Sequence, residues 1–303
     1  GLCYRDISFG NVFFHPETGE VLICDNDNVA VNRKADGGVL GTQKFMAPEI
    51  VRGEAHPSVD TDLYSLAVLL FYLLLVSHPL EGLSESAIKC FDIPAAKKLY
   101  GTEPLFVFDP QDKSNRPDPE RHQNALTFWT IIPKRCRDLF TRSFTDGLMD
   151  ASHGRVRETQ WRALMIELRD SIVRCNGCGQ ENFFDMDSTD DPDANNCWHC
   201  QQIVPAPLRL QFQTKSLVVL GAQTQIFPHH IDRQRRYNFD HAVAATTQHP
   251  SDPRMWGLKN LSESKWVATL PNGKMTDIDP GRNVRLAAGT RINFGTTEGV
   301  IEQ

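Results

Sequence analysis

The 303-residue sequence has no long apolar run. Its longest, Leu66 to Val76, is eleven residues, too short to span a bilayer and suited to a buried core helix. No membrane partner is expected. The sequence also lacks a strong charge of either sign. A net charge of −6 argues against a general nucleic-acid binder. No internal repeat is visible. The segment from Asn28 to Leu40 contains no Ser, Thr or Tyr, which excludes phosphorylation within it. A secreted disulfide framework is missing as well. Of eight cysteines, Cys3, Cys24, Cys90 and Cys136 are scattered, and the other four form two C-x2-C steps. That usage favours a reducing compartment and a metal, so a cytoplasmic location is expected.

What is present is ordinary for a globular chain: 40% hydrophobic and 23% charged residues, and enough length for two or three domains. The charge is uneven. Residues 201–303 carry 12 Lys/Arg against 8 Asp/Glu, an excess of +4, which leaves −10 on residues 1–200. Glu181, Asp185, Asp187, Asp190, Asp191 and Asp193 crowd one stretch, read as a solvated loop.

Three short motifs follow in order. Tyr4-Arg5-Asp6-Ile7-Ser8-Phe9-Gly10-Asn11 places an Asn five residues after an Asp. Ile23-Cys24-Asp25 comes next, then Gly41-Thr42-Gln43-Lys44-Phe45-Met46-Ala47-Pro48-Glu49. Together they resemble the catalytic loop, the metal-binding DFG position and the APE segment of protein kinases. The chain resembles the C-terminal lobe of a bacterial Ser/Thr protein kinase. The resemblance implies that ATP γ-phosphate is transferred to a hydroxyl of a protein substrate. Asp6 would orient that hydroxyl, and Asn11 and Asp25 would give oxygen ligands to Mg²⁺. Thr42 of the substrate loop would hydrogen-bond Asp6. Glu49 would pair with a late Arg, for which Arg155 is the candidate and Arg157 the alternative. Asp62-Leu63-Tyr64-Ser65-Leu66 matches the start of the lobe's central helix, read over 59–77, with Asp62 capping the catalytic loop.

The family's Gly-rich loop and strand Lys precede the catalytic loop, whereas this sequence opens within it. The expectation is a fragment of a longer protein that neither binds ATP tightly nor phosphorylates by itself. Departures from the family matter too. Tyr4 replaces its His, and Ser8 replaces the Lys that faces the transferred phosphate. The DFG triplet reads Asp25-Asn26-Asp27. Asp27 is a candidate second metal-facing carboxylate if 25–27 is extended, because i and i+2 then share a face; a solvated loop Asp is the other reading. These changes keep a second function open, a pseudokinase-like scaffold that binds signalling partners without catalysis.

Cys175, Cys178, Cys197 and Cys200 give C-x2-C-x18-C-x2-C, a spacing that reads as a four-thiolate structural Zn²⁺ site. Gly177 and Gly179 would supply the first knuckle's turn. Beyond residue 205 the pattern becomes short alternating runs, with candidate strands at 209–212, 216–220, 265–270 and 291–294, as in a β-sandwich. His241-Ala242-Val243, Leu258 to Ser262 with Asn272-Gly273, and Leu286 to Gly295 resemble a divergent forkhead-associated domain. That family's phosphothreonine-binding Gly-Arg, Ser-Arg and Asn-Gly-Thr are replaced by Gly221-Ala222, Asn238-Phe239-Asp240 and Ser264-Lys265-Trp266. An interaction module without that pocket is expected. Arg233, Arg235 and Arg236 are read as a solvated basic loop, with a phosphate site as the alternative. Trp256 and Trp266 are expected on neighbouring strands. The fold class is therefore multidomain α+β: a mainly helical kinase lobe over 1–173, a zinc ribbon over 174–205 and an all-β sandwich over 206–303. Helices are expected at 125–146 and 158–173.

Overall fold

The computed structural model describes residues 1–33, 38–185 and 195–303. Asp187, Asp190, Asp191 and Asp193 of the acidic stretch lie outside the described residues. The chain divides into two compact units, Gly1–Leu164 and Met165–Gln303. The division falls inside the helix Glu158–Asp170, ahead of the boundary read at 173. The second unit contains both the cysteine hairpin and the β-sheets.

The first unit is built around the helix Val59–Leu75. A reciprocal capping box starts it: Thr61 N–H donates to Ser58 Oγ and Ser58 N–H to Thr61 Oγ1, at 3.3 and 2.9 Å, which satisfies two orphan donors. Its end comes two residues before the expected 77, because Val76 takes a left-handed conformation (φ 51°), unusual for a β-branched residue. Leu63, Tyr64, Ala67, Val68, Leu69, Phe71 and Leu75 are buried, as the apolar run predicts. Phe71 sits at the centre of an aromatic cluster, with ring centroids 5.1 Å from Phe140 and 5.9 Å from both Phe106 and Phe144.

The single helix expected over 125–146 is three pieces: Gln123–Ile131, Lys134–Phe144 and Asp146–Met149. Pro133 explains the first break. It disfavours the α conformation at the residue before it, and Ile132 is extended (φ −70°, ψ 139°). Ahead of the central helix, Val12–Phe14 and Val21–Ile23 form the expected hairpin, and Leu2–Cys3 pairs with Ala30–Val31. No helix among the described residues is long and apolar enough to cross a membrane.

The second unit opens with the hairpin Ile172–Arg174/Glu181–Phe183, which carries the first cysteine pair. Two antiparallel sheets follow. One has four strands in the order Asn283–Arg285, Asp252–Asn260, Ala244–His249, Gln225–Ile226. The other has six, in the order Met275–Ile278, Trp266–Thr269, Arg291–Asn293, Glu298–Glu302, Arg209–Phe212, Leu217–Val219. One apolar cluster draws from both, with Leu210, Ile292 and Ile301 from the larger sheet and Ala244, Leu258 and Val284 from the smaller. That is sandwich packing. The four strands read from sequence lie within a residue of those observed. Trp256 and Trp266, expected on neighbouring strands, belong to different sheets. Trp266 is buried in the core and Trp256 is half-buried.

The aromatic cluster gives a direct test. Phe71→Ala should destabilise the first unit by about 3–5 kcal/mol, the usual cost of deleting a fully buried aromatic. Urea unfolding followed by fluorescence measures it; a midpoint unchanged from the parent would show that the cluster is not its core.

Candidate functional site

Arg5 adopts a positive φ of 78°, a conformation few non-glycine residues take. The buried end of the central helix holds it. Asp62 Oδ2 accepts from Tyr4 N–H at 2.6 Å, and Oδ1 accepts from Arg5 N–H at 2.9 Å. Burial raises the Asp62 carboxyl above its ordinary value, and the two amide donors oppose that shift. The cap expected of Asp62 is therefore present. Tyr4 donates its hydroxyl to the Cys24 carbonyl and so links this loop to the residue before Asp25.

The carboxylate of the next residue, Asp6, accepts three hydrogen bonds. Oδ1 receives Thr42 Oγ1–H at 2.7 Å and Thr42 N–H at 2.8 Å. Oδ2 receives Asn11 Nδ2–H at 2.9 Å, and the same amide reaches the Asp6 carbonyl at 2.9 Å. With both amide hydrogens directed at Asp6, Asn11 keeps Oδ1 as an acceptor without a donor among the described residues. Cys24 N–H donates to the Asn11 carbonyl at 2.9 Å, which brings the start of the hairpin against the residue before Asp25. Asp6, Asn11 and Thr42 thus form one network, with Asp25 one peptide beyond its edge. The Asp25 side chain is exposed. Ser8 is buried, and its neutral hydroxyl supplies no charge.

Asp27 does not fit the extended geometry expected of it. Asp25 is left-handed (φ 52°, ψ 44°) and Asn26–Asn28 is a 3-10 turn. The alternation that would place 25 and 27 on one face is lost, and Asp27 is an exposed turn residue.

Glu49 Oε2 lies 2.8 Å from Arg155 Nη2. The Arg155 side chain is 2% exposed and that of Glu49 19%. Arg155 also donates to the Gly147 and Asp60 carbonyls at 3.2 and 2.7 Å, so its guanidinium ties three segments together. Arg157, the alternative partner, instead opens the next helix, its N–H donating to Gln160 Oε1.

In the second unit, Cys175, Cys178, Cys197 and Cys200 converge, with one Sγ from each within 4.8 Å of the others. The cross-knuckle pairs 175/200 and 178/197 are each 3.6 Å apart. A disulfide needs about 2.05 Å, whereas sulfurs at about 2.3 Å from a tetrahedral zinc lie about 3.8 Å apart. The two knuckles repeat one backbone pattern. Gly179 N–H donates to the Cys175 carbonyl and Cys175 N–H to Gln180; Gln201 N–H donates to Cys197 and Cys197 N–H to Gln202. The turn residues Gly179 and Gln201 are both left-handed, at φ 77° and 60°. Backbone N–H groups of Cys178 and Gly177 hold the Cys175 thiol below its ordinary value, whereas burial and neighbouring thiols raise Cys178 and Cys200.

A second cluster, Asp170, His229 and His230, also has ligand-type atoms within 4.8 Å. Sequence reading missed it because Asp170 and His230 are 60 residues apart. Its hydrogen bonds argue for structure. Phe227 N–H donates to His230 Nδ1 at 2.9 Å, and an N–H cannot accept, so the ring proton sits on Nε2. That nitrogen faces Asp170 Oδ2 at 2.9 Å as a donor, leaving no lone pair for a metal.

Comparison with known proteins bears on the first unit. Residues 1–144 match the family model described as the protein kinase domain. Protein kinase C-like 1 of Candida albicans is 34% identical over 92 residues, covering 29% of this chain and 8% of that protein. Ribosomal protein S6 kinase alpha-4 of Mus musculus is 34% identical over 88 residues, 27% of this chain and 11% of its own length. The probable serine/threonine-protein kinase PknB of Bifidobacterium longum is 34% identical over 94 residues, 29% and 13% respectively. The chain therefore spans a small part of each relative. Among solved structures, the Cydia pomonella granulovirus kinase PK-1 aligns with 17% identity and a TM-score of 0.33, over 51% of this chain and 46% of that one.

The ion pair yields a test. Arg155→Met removes one partner of a largely buried pair and leaves two carbonyls short of donors, which should cost about 3–5 kcal/mol. Arg157→Met should cost under about 0.5 kcal/mol, as surface substitutions do. Equal losses in chemical denaturation would assign Glu49 the wrong partner.

Proposed function

We propose that this chain is the C-terminal part of a Ser/Thr protein kinase, with residues 1–173 as its lower lobe, 174–205 as a zinc ribbon and 206–303 as a forkhead-associated-like interaction module. The observation that carries the reading is the threefold hydrogen bonding of Asp6 by Thr42 and Asn11. It fixes one carboxylate at the rim of the site, where a protein hydroxyl can meet it. Asp6 then accepts the hydroxyl's hydrogen bond and takes its proton as phosphate is transferred. Asn11 Oδ1 and the Asp25 carboxylate would hold Mg²⁺, which neutralises charge on the β- and γ-phosphates of ATP when bound. Thr42, bonded through both N–H and Oγ1, keeps the substrate-docking segment in register with Asp6. The substrate is a protein carrying Ser or Thr, and the compartment is the cytoplasm.

Exposure at the hairpin supports an upstream lobe. Phe13, Phe14, Val21, Leu22 and Ile23 are each at least 50% exposed, and a lone two-stranded hairpin is marginal in water. The N-terminal lobe that the kinase resemblance implies would cover them. One observation favours the scaffold alternative: position 8, where the kinase resemblance expects a Lys, holds a buried, uncharged Ser8.

In the full-length protein, Asp25→Ala and Asp6→Ala should each lower phosphotransfer by about 10³-fold or more, and Ser8→Ala should change it less than about threefold. Radiolabelled ATP with a generic Ser/Thr acceptor reads this, and undiminished transfer by Asp25→Ala would leave the scaffold as the answer. For the ribbon, one Zn²⁺ per chain is expected by elemental analysis, with Zn–S distances of about 2.3 Å by X-ray absorption. Substoichiometric metal in freshly purified protein would remove the ribbon.

A further inference from the structure

Behind the segment Thr42–Met46 lies a polar cluster that no motif announced. His78 is 1% exposed. Leu80 N–H donates to its Nδ1 at 3.1 Å, so the ring proton sits on Nε2, which donates to the Lys44 carbonyl at 2.9 Å. Burial lowers the pKa of His78 to about 4, keeping it neutral in this role. The Lys44 ammonium reaches Glu81 Oε1 at 2.8 Å, and Tyr100 O–H donates to the same oxygen at 2.5 Å. Lys44 is thus gripped at both ends, by its carbonyl and by its side chain. Its neighbour is held too, since Ser65 Oγ–H donates to the Phe45 carbonyl at 2.7 Å. Two residues earlier is Thr42, whose carbonyl accepts from Phe45 N–H and Met46 N–H at 2.8 and 3.0 Å.

The burial of these groups decides between ornament and function. Lys44 is about half exposed (49%), but the Glu81 carboxylate is only 16% exposed. An exposed pair of long side chains contributes little. A mostly buried carboxylate that loses its cation is a different case, because it keeps its desolvation cost. We propose that Glu81, backed by Tyr100 and working with His78, is a positioning residue for the acceptor-docking segment: it clamps Lys44 and thereby sets Thr42 against Asp6. None of these groups touches the reacting atoms. The proposal rests on the kinase reading only in calling that segment the acceptor's.

Hydrogen exchange on the 303-residue chain tests the clamp without requiring catalysis. The reporters are the Phe45 and Met46 amides, with the Val68–Phe71 amides of the central helix as reference. Lys44→Met changes a half-exposed side chain and should fold. It and Glu81→Ala should each speed reporter exchange about fivefold or more, with the reference amides unchanged. Glu81→Gln, which can still accept from Tyr100 and Lys44, should stay within about twofold of the parent. The double reversal Lys44→Glu with Glu81→Lys should recover most of the protection lost in either single reversal. In the full-length protein, Lys44→Met should raise KM for the protein acceptor about fivefold while leaving kcat and the KM for ATP near the parent values. Reporter rates unchanged in Lys44→Met and Glu81→Ala overturn the clamp, and so does equal acceleration of the reference amides. If the full-length protein transfers no phosphate, the kinase reading falls and the exchange rates still decide the clamp.

Discussion

The two hydrogen bonds from the Tyr4 and Arg5 amides to the Asp62 carboxylate hold the site to the core. The described elements upstream of the central helix are all short, none longer than the five-residue helix Pro48–Arg52. Such segments do not bury enough apolar surface to fix their own conformation. The helix supplies the rigidity. It is buried among aromatic rings and presents Asp62 from its first turn. A carboxylate there costs desolvation energy, seen in its raised pKa, and the amide donors offset part of that cost. Arg5, strained at positive φ, persists because its amide is committed to this carboxylate. Asp6 is the residue that the strain aims.

The second unit solves a similar problem differently. The hairpin Ile172–Arg174/Glu181–Phe183 sits on a small apolar cluster of Cys175, Cys197, Phe184 and Val204, which reaches Val219 of the larger sheet. A core of that size does not order a segment by itself. Four converging sulfurs can, once a metal closes them, since metal binding energy becomes folding energy in small sites. Elsewhere in the unit, Asp170 and His230 form a buried pair, and the Arg169 guanidinium lies 4.4 and 4.7 Å from the Phe227 and Phe239 rings. These contacts fasten the end of the helix Glu158–Asp170 to the segment around Pro228–Ile231.

Much of this was legible in the sequence, for identifiable reasons. Asp6, Asn11, Asp25 and Thr42 lie in short motifs whose spacing is set by local backbone geometry. The cysteine knuckles are likewise local, so spacing located them. Arg155 was found across 106 residues only because a resemblance named its role. The failures also have causes. Of the two readings of Asp27, the extended one fails because a left-handed Asp25 breaks strand alternation, and nothing in Asp-Asn-Asp announces that. The break at Pro133 had a visible signal, outweighed by the apolar periodicity on either side. Trp256 and Trp266 were paired because they are close in sequence, yet the chain crosses from one sheet to the other between them. His78 and Glu81 belong to no motif, and nothing in the sequence pairs Tyr100 with them. Their meeting with Lys44 is a product of tertiary packing alone.

The choice between catalyst and scaffold turns on what the site costs. A binding surface can be made from exposed side chains with no strained backbone beneath it. Here the chain keeps a strained Arg5, a desolvated Asp62 and a neutral buried His78, and these converge on the two segments that meet at Asp6. Strain of about 1–3 kcal/mol per outlier persists only where surrounding structure over-determines it. The over-determined quantity here is the position of one carboxylate relative to Thr42 and Asn11. The proposed proton acceptance from a hydroxyl depends on that precision, since misplacement by about 1 Å can cost about a hundredfold in rate. The departures at Ser8 and at Asn26-Asp27 alter the charge and the backbone around the phosphate and leave this geometry intact. Under the proposed kinase reading they tune the enzyme; under the scaffold reading they are the first signs of its loss.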